Sequence, residues 1–146
     1  MNISIKIDTE KLKTAIKKEP AISIQELNNA IKKSILKTQS LSQKSAPVNT
    51  GALRQSIQSR FEPLRGIIEA KAKYSLYVHE GTRAHDIFPV RKMALANVRK
   101  GQFFGRHVKH PGTKPNRFMT RAIVEAKQWI IEYFNQAINN IVKKII

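Results

Sequence analysis

The stretch that decides the fold is NRFMTRAIVEAKQWIIEYFNQAINNIVKKII, residues 116–146. Pro115 stops any earlier element from continuing into it, and Asn116 can cap a new helix. Its apolar side chains then keep a period of 3.6 residues over roughly seven turns, which predicts a long C-terminal helix. The apolar positions are Phe118, Ala122, Ala126, Trp129, Ile130, Tyr133, Ala137, Ile138, Ile141 and Ile145.

The composition of the polar face of this helix indicates whether its apolar face contacts a membrane or protein. A helix that lies on a membrane surface usually carries many Lys or Arg on its polar face. Here that face is rich in amides instead, at Asn135, Gln136, Asn139 and Asn140. This composition favours packing against the protein core or another subunit over binding to a membrane.

The N-terminal part of the chain predicts a second helix. Ser23 and Glu26 have the spacing of a capping box, and the helix should end before Pro47. Its apolar stripe is predicted at Ile24, Leu27, Ile31, Ile35 and Leu41, supported by Ala30 and Thr38. Before it, residues 2–7 alternate like a short strand, and a short helix capped by Asp8 is expected to end at Pro20.

The centre of the chain predicts short strands. Asn49–Gly51 is a turn signal, followed by a helical turn and a hairpin around the reverse turn at 63–66. A further helical turn is predicted from Tyr74 to Gly81, and a second hairpin with one arm over residues 102–109. The predicted fold is therefore α+β: a small antiparallel sheet of about four strands packed with an N-terminal helix and a long C-terminal helix. One domain is expected over residues 1–146.

The chain is strongly basic along its whole length. It carries 27 Lys and Arg against 10 Asp and Glu, a formal net charge of +17. Such a charge favours polyanions, either nucleic acid or acidic protein surfaces. The alternative is a Lys-rich composition in which most of these side chains are only solvated.

Several classes of protein are disfavoured. The chain has no Cys, which excludes disulfides and thiolate metal sites. Its start lacks the apolar core of a signal peptide, and no segment approaches the ~20 apolar residues of a membrane span. A cytoplasm-like compartment is expected.

Catalytic chemistry finds little support. His107 and His110 could present two imidazoles to a metal, with His79 or His85 as a third ligand, but no acid stands near His107 in sequence. Glu80 could pair with a histidine in acid–base chemistry, yet adjacent residues do not face each other easily. Neither Gly-containing loop has the spacing of a phosphate loop. We expect a protein that is not an enzyme and binds no metal or cofactor.

The span from Ile87 to Val124 contains nine Lys or Arg and no Asp or Glu. Phe88, Phe103 and Phe104 lie among these cations, a mixture that can stack on bases and grip phosphates. No named nucleic-acid-binding signature is present, so diffuse contact with the DNA backbone fits better than base recognition. The candidate DNA-facing residues are Arg91, Lys92, Arg99, Lys100, Arg106 and Lys109.

Three motifs occur in a recognisable order: PVNTGALRQSI from Pro47, YSLYVHEGT from Tyr74 and HPGTKPNRFMTRA from His110. Together they resemble the lambdoid-type phage tail-component family, whose members complete tails or join heads to tails in long-tailed phages and prophages. Asn49 stands where the family has Asp, Glu80 is displaced by one place, and Asn116–Phe118 departs from the usual Pro-Phe. The resemblance covers about residues 22–140.

The resemblance implies a virion protein of the phage neck, made in the host cytoplasm, that forms a ring of subunits around the DNA path. Its implied partners are a connector or stopper protein, the tail tube or the tail terminator, with non-specific contact to phage DNA and none to membrane. The implied assembly surface comprises Tyr74, Tyr77, Glu80, Gly81, Thr82, His110, Pro111, Gly112 and Thr113. Two alternatives remain: a nucleic-acid-binding module that acts outside the virion, and a metal-dependent hydrolase.

Overall fold

The computed structural model describes residues 17, 19–90, 94–97 and 100–145. The helices whose bounds are described are α1 (Pro20–Ser45), α2 (Ala52–Ser56), α3 (Ser75–Glu80) and α4 (Phe118–Ile145). The strands are β1 (Ile57–Glu62), β2 (Arg65–Ala70), β3 (His85–Ile87), β4 (Leu95–Asn97), β5 (Gln102–Gly105) and β6 (Val108–His110). The strand predicted at 2–7 and nearly all of the short helix predicted after Asp8 lie outside the described residues.

The chain divides into two compact units. The first, here called the helix-pair unit, contains the described residues up to Ala72 and those from Phe118 onward. The second, here called the middle unit, contains Lys73–Arg117. The expectation of one domain over residues 1–146 stays a prediction.

Helices α1 and α4 pack against each other in antiparallel fashion. Arg121, near the start of α4, donates to the carbonyl of Ser45 at the end of α1, at 3.3 Å. Near the opposite ends, Lys144 Nζ lies 2.7 Å from a carboxylate oxygen of Glu26. The span of α4, Phe118–Ile145, confirms the predicted long C-terminal helix. Its fully buried positions include Phe118, Ala122, Ala126 and Ile141.

The face that α1 buries agrees with the predicted stripe only in part, at Ala30, Thr38 and Leu41. Ile24 is exposed, whereas the buried positions are mostly small: Ser23, Ala30, Ser34, Thr38, Leu41 and Ser42. All four hydroxyls among them donate to the carbonyl four residues earlier in the same chain, at 2.8 to 2.9 Å. Because these bonds satisfy the hydroxyls locally, short polar side chains can be buried in a helix contact without partners on α4.

The predicted capping box at Ser23 is wrong. Helix α1 begins at Pro20, and Ser23 lies inside it, where its hydroxyl donates to the Glu19 carbonyl. Proline is favoured in the first turn because the N–H that it lacks would have no helical partner there. Pro20 therefore starts α1, which ends at Ser45, before Pro47 as predicted.

The first hairpin confirms the predicted turn and packs on α1. Strands β1 and β2 pair from Ile57↔Ala70 to Glu62↔Arg65, which leaves Pro63 and Leu64 as the loop. A β-carbon added at Gly66 would lie 2.9 Å from Ile35 Cδ1 and 3.1 Å from Ile31 Cγ2. The absence of a side chain at Gly66 thus allows β2 to approach α1 closely.

The predicted four-stranded sheet is wrong. Within the described residues the strands form three separate antiparallel pairs, β1–β2, β3–β6 and β4–β5. The arm predicted over residues 102–109 is interrupted after Gly105, whose φ is 81°. Strand β5 therefore pairs back to β4, whereas β6 pairs with the earlier β3, and one hairpin lies nested between the strands of another pair.

Candidate interaction surface of the middle unit

The two Gly-Thr turns lie directly against each other, although they are far apart in sequence. The amide of Thr82 donates to the carbonyl of Thr113, and the amide of Thr113 donates to the carbonyl of Thr82, each at 3.0 Å. We call this bridge, formed by Gly81–Thr82 and Gly112–Thr113, the Gly-Thr clasp. The sequence predicted both turns but not their pairing.

Both glycines of the Gly-Thr clasp are required by its geometry. Gly81 has φ 75° and ψ −177°, and Gly112 has φ 88°, conformations that L side chains rarely adopt. A β-carbon at Gly81 would collide with the Thr113 carbonyl oxygen and lie 2.9 Å from the nitrogen of Pro115. One at Gly112 would collide with the Thr82 carbonyl oxygen. Each glycine therefore makes room for the backbone of the opposite turn.

The predicted assembly residues lie on the two segments that the clasp joins. Tyr74 and Tyr77 belong to the helical turn around α3, and both rings are exposed. Glu80 is the last residue of α3, immediately before Gly81. On the other segment, His110 ends β6, and Pro111 leads into Gly112 and Thr113. The structure thus brings both ends of the predicted assembly surface together.

None of the described residues between Lys73 and Arg117 is buried. Several large apolar side chains in this range are instead well exposed, including Val90 at 95%, Phe103 at 75% and Leu76 at 64%. Tyr74, Tyr77, Phe88 and Phe104 are exposed as well. These exposed apolar side chains make the middle unit the candidate interaction surface.

The described cations of the middle unit outnumber its acids. They are Lys73, Arg83, Lys100, Arg106, Lys109, Lys114 and Arg117, all exposed, against Glu80 and Asp86. Of the candidate DNA-facing residues, Lys100, Arg106 and Lys109 belong to this set. Arg91, Lys92 and Arg99 lie outside the described residues, so their contact with DNA stays a prediction.

Both acids of the middle unit contact histidines. His107 Nε2 lies 2.8 Å from Asp86 Oδ1, and the ring of Phe88 stacks on His107 with 4.9 Å between centroids. His79 Nδ1 lies 2.7 Å from Glu80 Oε1. The expectation that these adjacent side chains do not face each other is therefore wrong, because the last turn of α3 lets them converge.

His85 and His110 form a cross-strand pair. They lie opposite each other on β3 and β6, and their rings stack with 5.1 Å between centroids. The amide of Gly112 donates to His110 Nδ1 at 3.0 Å, which makes this nitrogen an acceptor. The proton of the neutral ring is then on Nε2, so that the lone pair needed for a metal is already used.

The geometry gives a metal site little support. Within the described ranges, no three His, Asp or Glu side chains gather as ligands would. His85 Nδ1 is held 2.8 Å from the Arg83 carbonyl oxygen, and His110 Nδ1 accepts from the backbone. These contacts fit histidines that order the turns beside the clasp.

Two contributors to this surface were missed by sequence reasoning. Asp86 is an acid in contact with His107, but it lies 21 positions away in the sequence. The pairing of β3 with β6 brings the two side chains together, so the residues next to His107 gave no sign of this contact. Arg83 borders an open groove together with Tyr77 and His85. Its position directly after Gly81–Thr82 was the only signal that could have suggested it.

No helix in the described part of the chain is both long and apolar enough to cross a membrane. Comparison of the chain with protein-family models, with curated proteins and with solved structures finds no match.

Proposed function

We propose that this chain is a non-enzymatic structural protein of the phage neck, which completes the tail or joins it to the head as part of a ring around the DNA path. The observation that carries this proposal is the middle unit: a hydrogen-bonded platform in which no described residue is buried and several large apolar side chains are exposed. A surface of this kind is suited to being covered by assembly partners.

The Gly-Thr clasp is consistent with this proposal. The resemblance to phage tail components rests partly on YSLYVHEGT and HPGT, and the residues of these two motifs meet in one backbone bridge. Both motifs therefore contribute to one local structure of the middle unit.

The experiment is deletion of the gene from the phage or prophage that encodes the chain, followed by electron microscopy of negatively stained particles. Full heads beside unattached tails are expected, and the wild-type gene should restore joined particles. As a matched pair, Gly112→Ala should fail to restore joining, whereas Gly101→Ala should restore it, because only Gly112 contacts the opposite turn. Joined particles in the absence of the protein would refute the proposal.

A second candidate is a nucleic-acid-binding module that acts outside the virion. It is favoured by the seven described cations of the middle unit, which face only two acids, both already in contact with histidines. Titration of the purified chain against a random-sequence DNA duplex at increasing salt tests this role. Tight binding that weakens steeply with salt supports it, and micromolar or weaker affinity at physiological salt counts against it.

A further inference from the structure

We infer that the middle unit is a docking surface for a protein partner whose contact face is acidic around an apolar centre. This inference rests on the proposed function and specifies the chemistry of the partner. The hairpin β4–β5 carries the clearest sign of such a surface, because two of its aromatic rings are exposed to solvent.

The hairpin β4–β5 presents two exposed aromatic rings. Phe103 and Phe104 are adjacent on β5, and both are exposed. A two-stranded ribbon has marginal stability in water without a covering layer. Strands β4 and β5 nevertheless pair at Ala96↔Phe103 and Asn97↔Gln102, with a register shift between Leu95 and Ala96. The exposed rings therefore belong to a folded element that lacks cover.

Exposed cations lie close to these apolar side chains along the chain. Lys100 precedes β5, Arg106 follows it, and Lys109 lies on β6, all three exposed. Near the clasp, Arg83 borders an open groove of about 590 Å³ together with Tyr77. In the part of the chain that the structure describes, the two acids of the unit contact histidines rather than these cations. The complementary surface thus carries carboxylates at its rim and apolar side chains at its centre.

Two other occupants fit this pattern less well. A second copy of the chain would place the same excess of cations, seven described Lys and Arg against two acids, opposite this surface, which opposes contact between copies through it. Duplex DNA would satisfy the cations, but its phosphates offer no apolar complement to Leu76, Val90 or Phe103, which are exposed by 64%, 95% and 75%. A protein partner satisfies both features, and any ring contact between copies then uses another surface.

The test is photo-cross-linking of the full chain in cells that assemble the phage. Phe103→p-benzoylphenylalanine keeps an aromatic ring at the proposed contact, and Gln58→p-benzoylphenylalanine places the same probe at an exposed position of the helix-pair unit. The expected product joins position 103 to another phage protein, at a peptide in which Asp and Glu exceed Lys and Arg around apolar residues. The yield at position 58 should be at least tenfold lower.

A charge variant sharpens the result. Lys100→Glu, Arg106→Glu and Lys109→Glu, introduced together with the probe at Phe103, should reduce the cross-link about tenfold or more, whereas Lys→Arg at 100 and 109 should preserve it. Cross-linking to DNA, to a second copy or to a basic peptide would overturn the inference, as would a yield no higher than that at Gln58. Circular dichroism shows whether the variants retain the helices.

The inference and the proposed function fail in different ways. Immunoblotting of purified virions reports whether the chain is a virion component, independently of the cross-link. Absence from virions with an acidic cross-linked partner would reject the neck role and keep the docking surface. Presence in virions together with a cross-link to DNA at position 103 would keep the neck role and reject the docking surface for a protein.

Discussion

Replacing either glycine of the Gly-Thr clasp by alanine should separate the two turns that the clasp joins. In Gly112→Ala, a side chain at φ 88° costs roughly 1–2 kcal/mol, and its β-carbon collides with the Thr82 carbonyl oxygen. Relief of this collision separates the two turns and weakens two backbone hydrogen bonds, at about 0.5–1.5 kcal/mol each. The expected total is about 3 kcal/mol.

Gly101→Ala is the matched control. Gly101 also has a left-handed φ, 62°, but nothing lies within 4 Å of the position that its β-carbon would take. This variant should therefore show only the conformational cost, roughly 1–2 kcal/mol. The difference between the two variants, about 2 kcal/mol, isolates the close approach of the two turns.

Amide hydrogen exchange at Thr82 and Thr113 measures this difference, because both amides donate across the clasp. A difference of about 2 kcal/mol corresponds to exchange roughly thirtyfold faster in Gly112→Ala than in Gly101→Ala. The double variant Gly81→Ala/Gly112→Ala should add little to either single variant, since each already breaks the same bridge. Equal protection in Gly112→Ala and Gly101→Ala would refute the reasoning.

Three further predictions concern the helix-pair unit. Gly66→Ala should lower the free energy of unfolding by about 2 kcal/mol in urea denaturation, because the added methyl group overlaps Ile35 in the packed contact with α1. Leu64→Gly should raise that free energy by about 0.5–1 kcal/mol, since Leu64 has a left-handed φ of 56°, and relief of its strain exceeds the entropic cost of glycine. The hydrogen bonds from Lys144 and Asn140 lower the pKa of Glu26 below its ordinary value of about 4.5. The stabilising contribution of Glu26 is therefore complete above that pH and lost as the pH falls below it. The difference in the free energy of unfolding between wild type and Glu26→Gln, on the order of 1 kcal/mol or less, should shrink as the pH is lowered from 6 to 3.

Each of these predictions has an outcome that contradicts it. An unchanged urea midpoint in Gly66→Ala would show that β2 can move away from α1 at little cost. A destabilised Leu64→Gly would mean that the exposed Leu64 side chain contributes more than its backbone strain costs. A pH-independent difference for Glu26→Gln would show that its contacts with α4 add nothing to stability.

The elements predicted from the sequence were those set by local periodicity. The apolar repeat from Phe118 onward fixed α4, and the turn residues around Pro63 placed the hairpin β1–β2. The buried face of α1 was found only in part, at Ala30, Thr38 and Leu41, because its other members, Ser23, Ser34 and Ser42, are polar side chains whose hydroxyls are satisfied within the helix. A hydrophobic pattern in the sequence predicts the buried face of a helix only where that face carries large apolar side chains.

The strand pairing and the candidate surface depend on contacts between distant parts of the chain. Gly105 separates β5 from β6: β5 forms a hairpin with β4, in line with the predicted second hairpin, whereas β6 pairs with β3, which the local pattern did not connect to it. The same long-range pairing brings Asp86 to His107 and Thr82 to Thr113. Sequence spacing identified the two Gly-Thr turns, but only the fold shows that they form one structure.

The Gly-Thr clasp has a consequence for how the middle unit can change in length. Because Thr82 and Thr113 are hydrogen-bonded to each other, the residues between them form a closed loop whose ends stay in place. Doubling the length of a flexible loop costs only about 0.6 kcal/mol in closure entropy. Insertions and deletions near Val90 or Gly101 should therefore be tolerated as long as the clasp remains. The length of the segment between Thr82 and Thr113 can then change without changes in the helices.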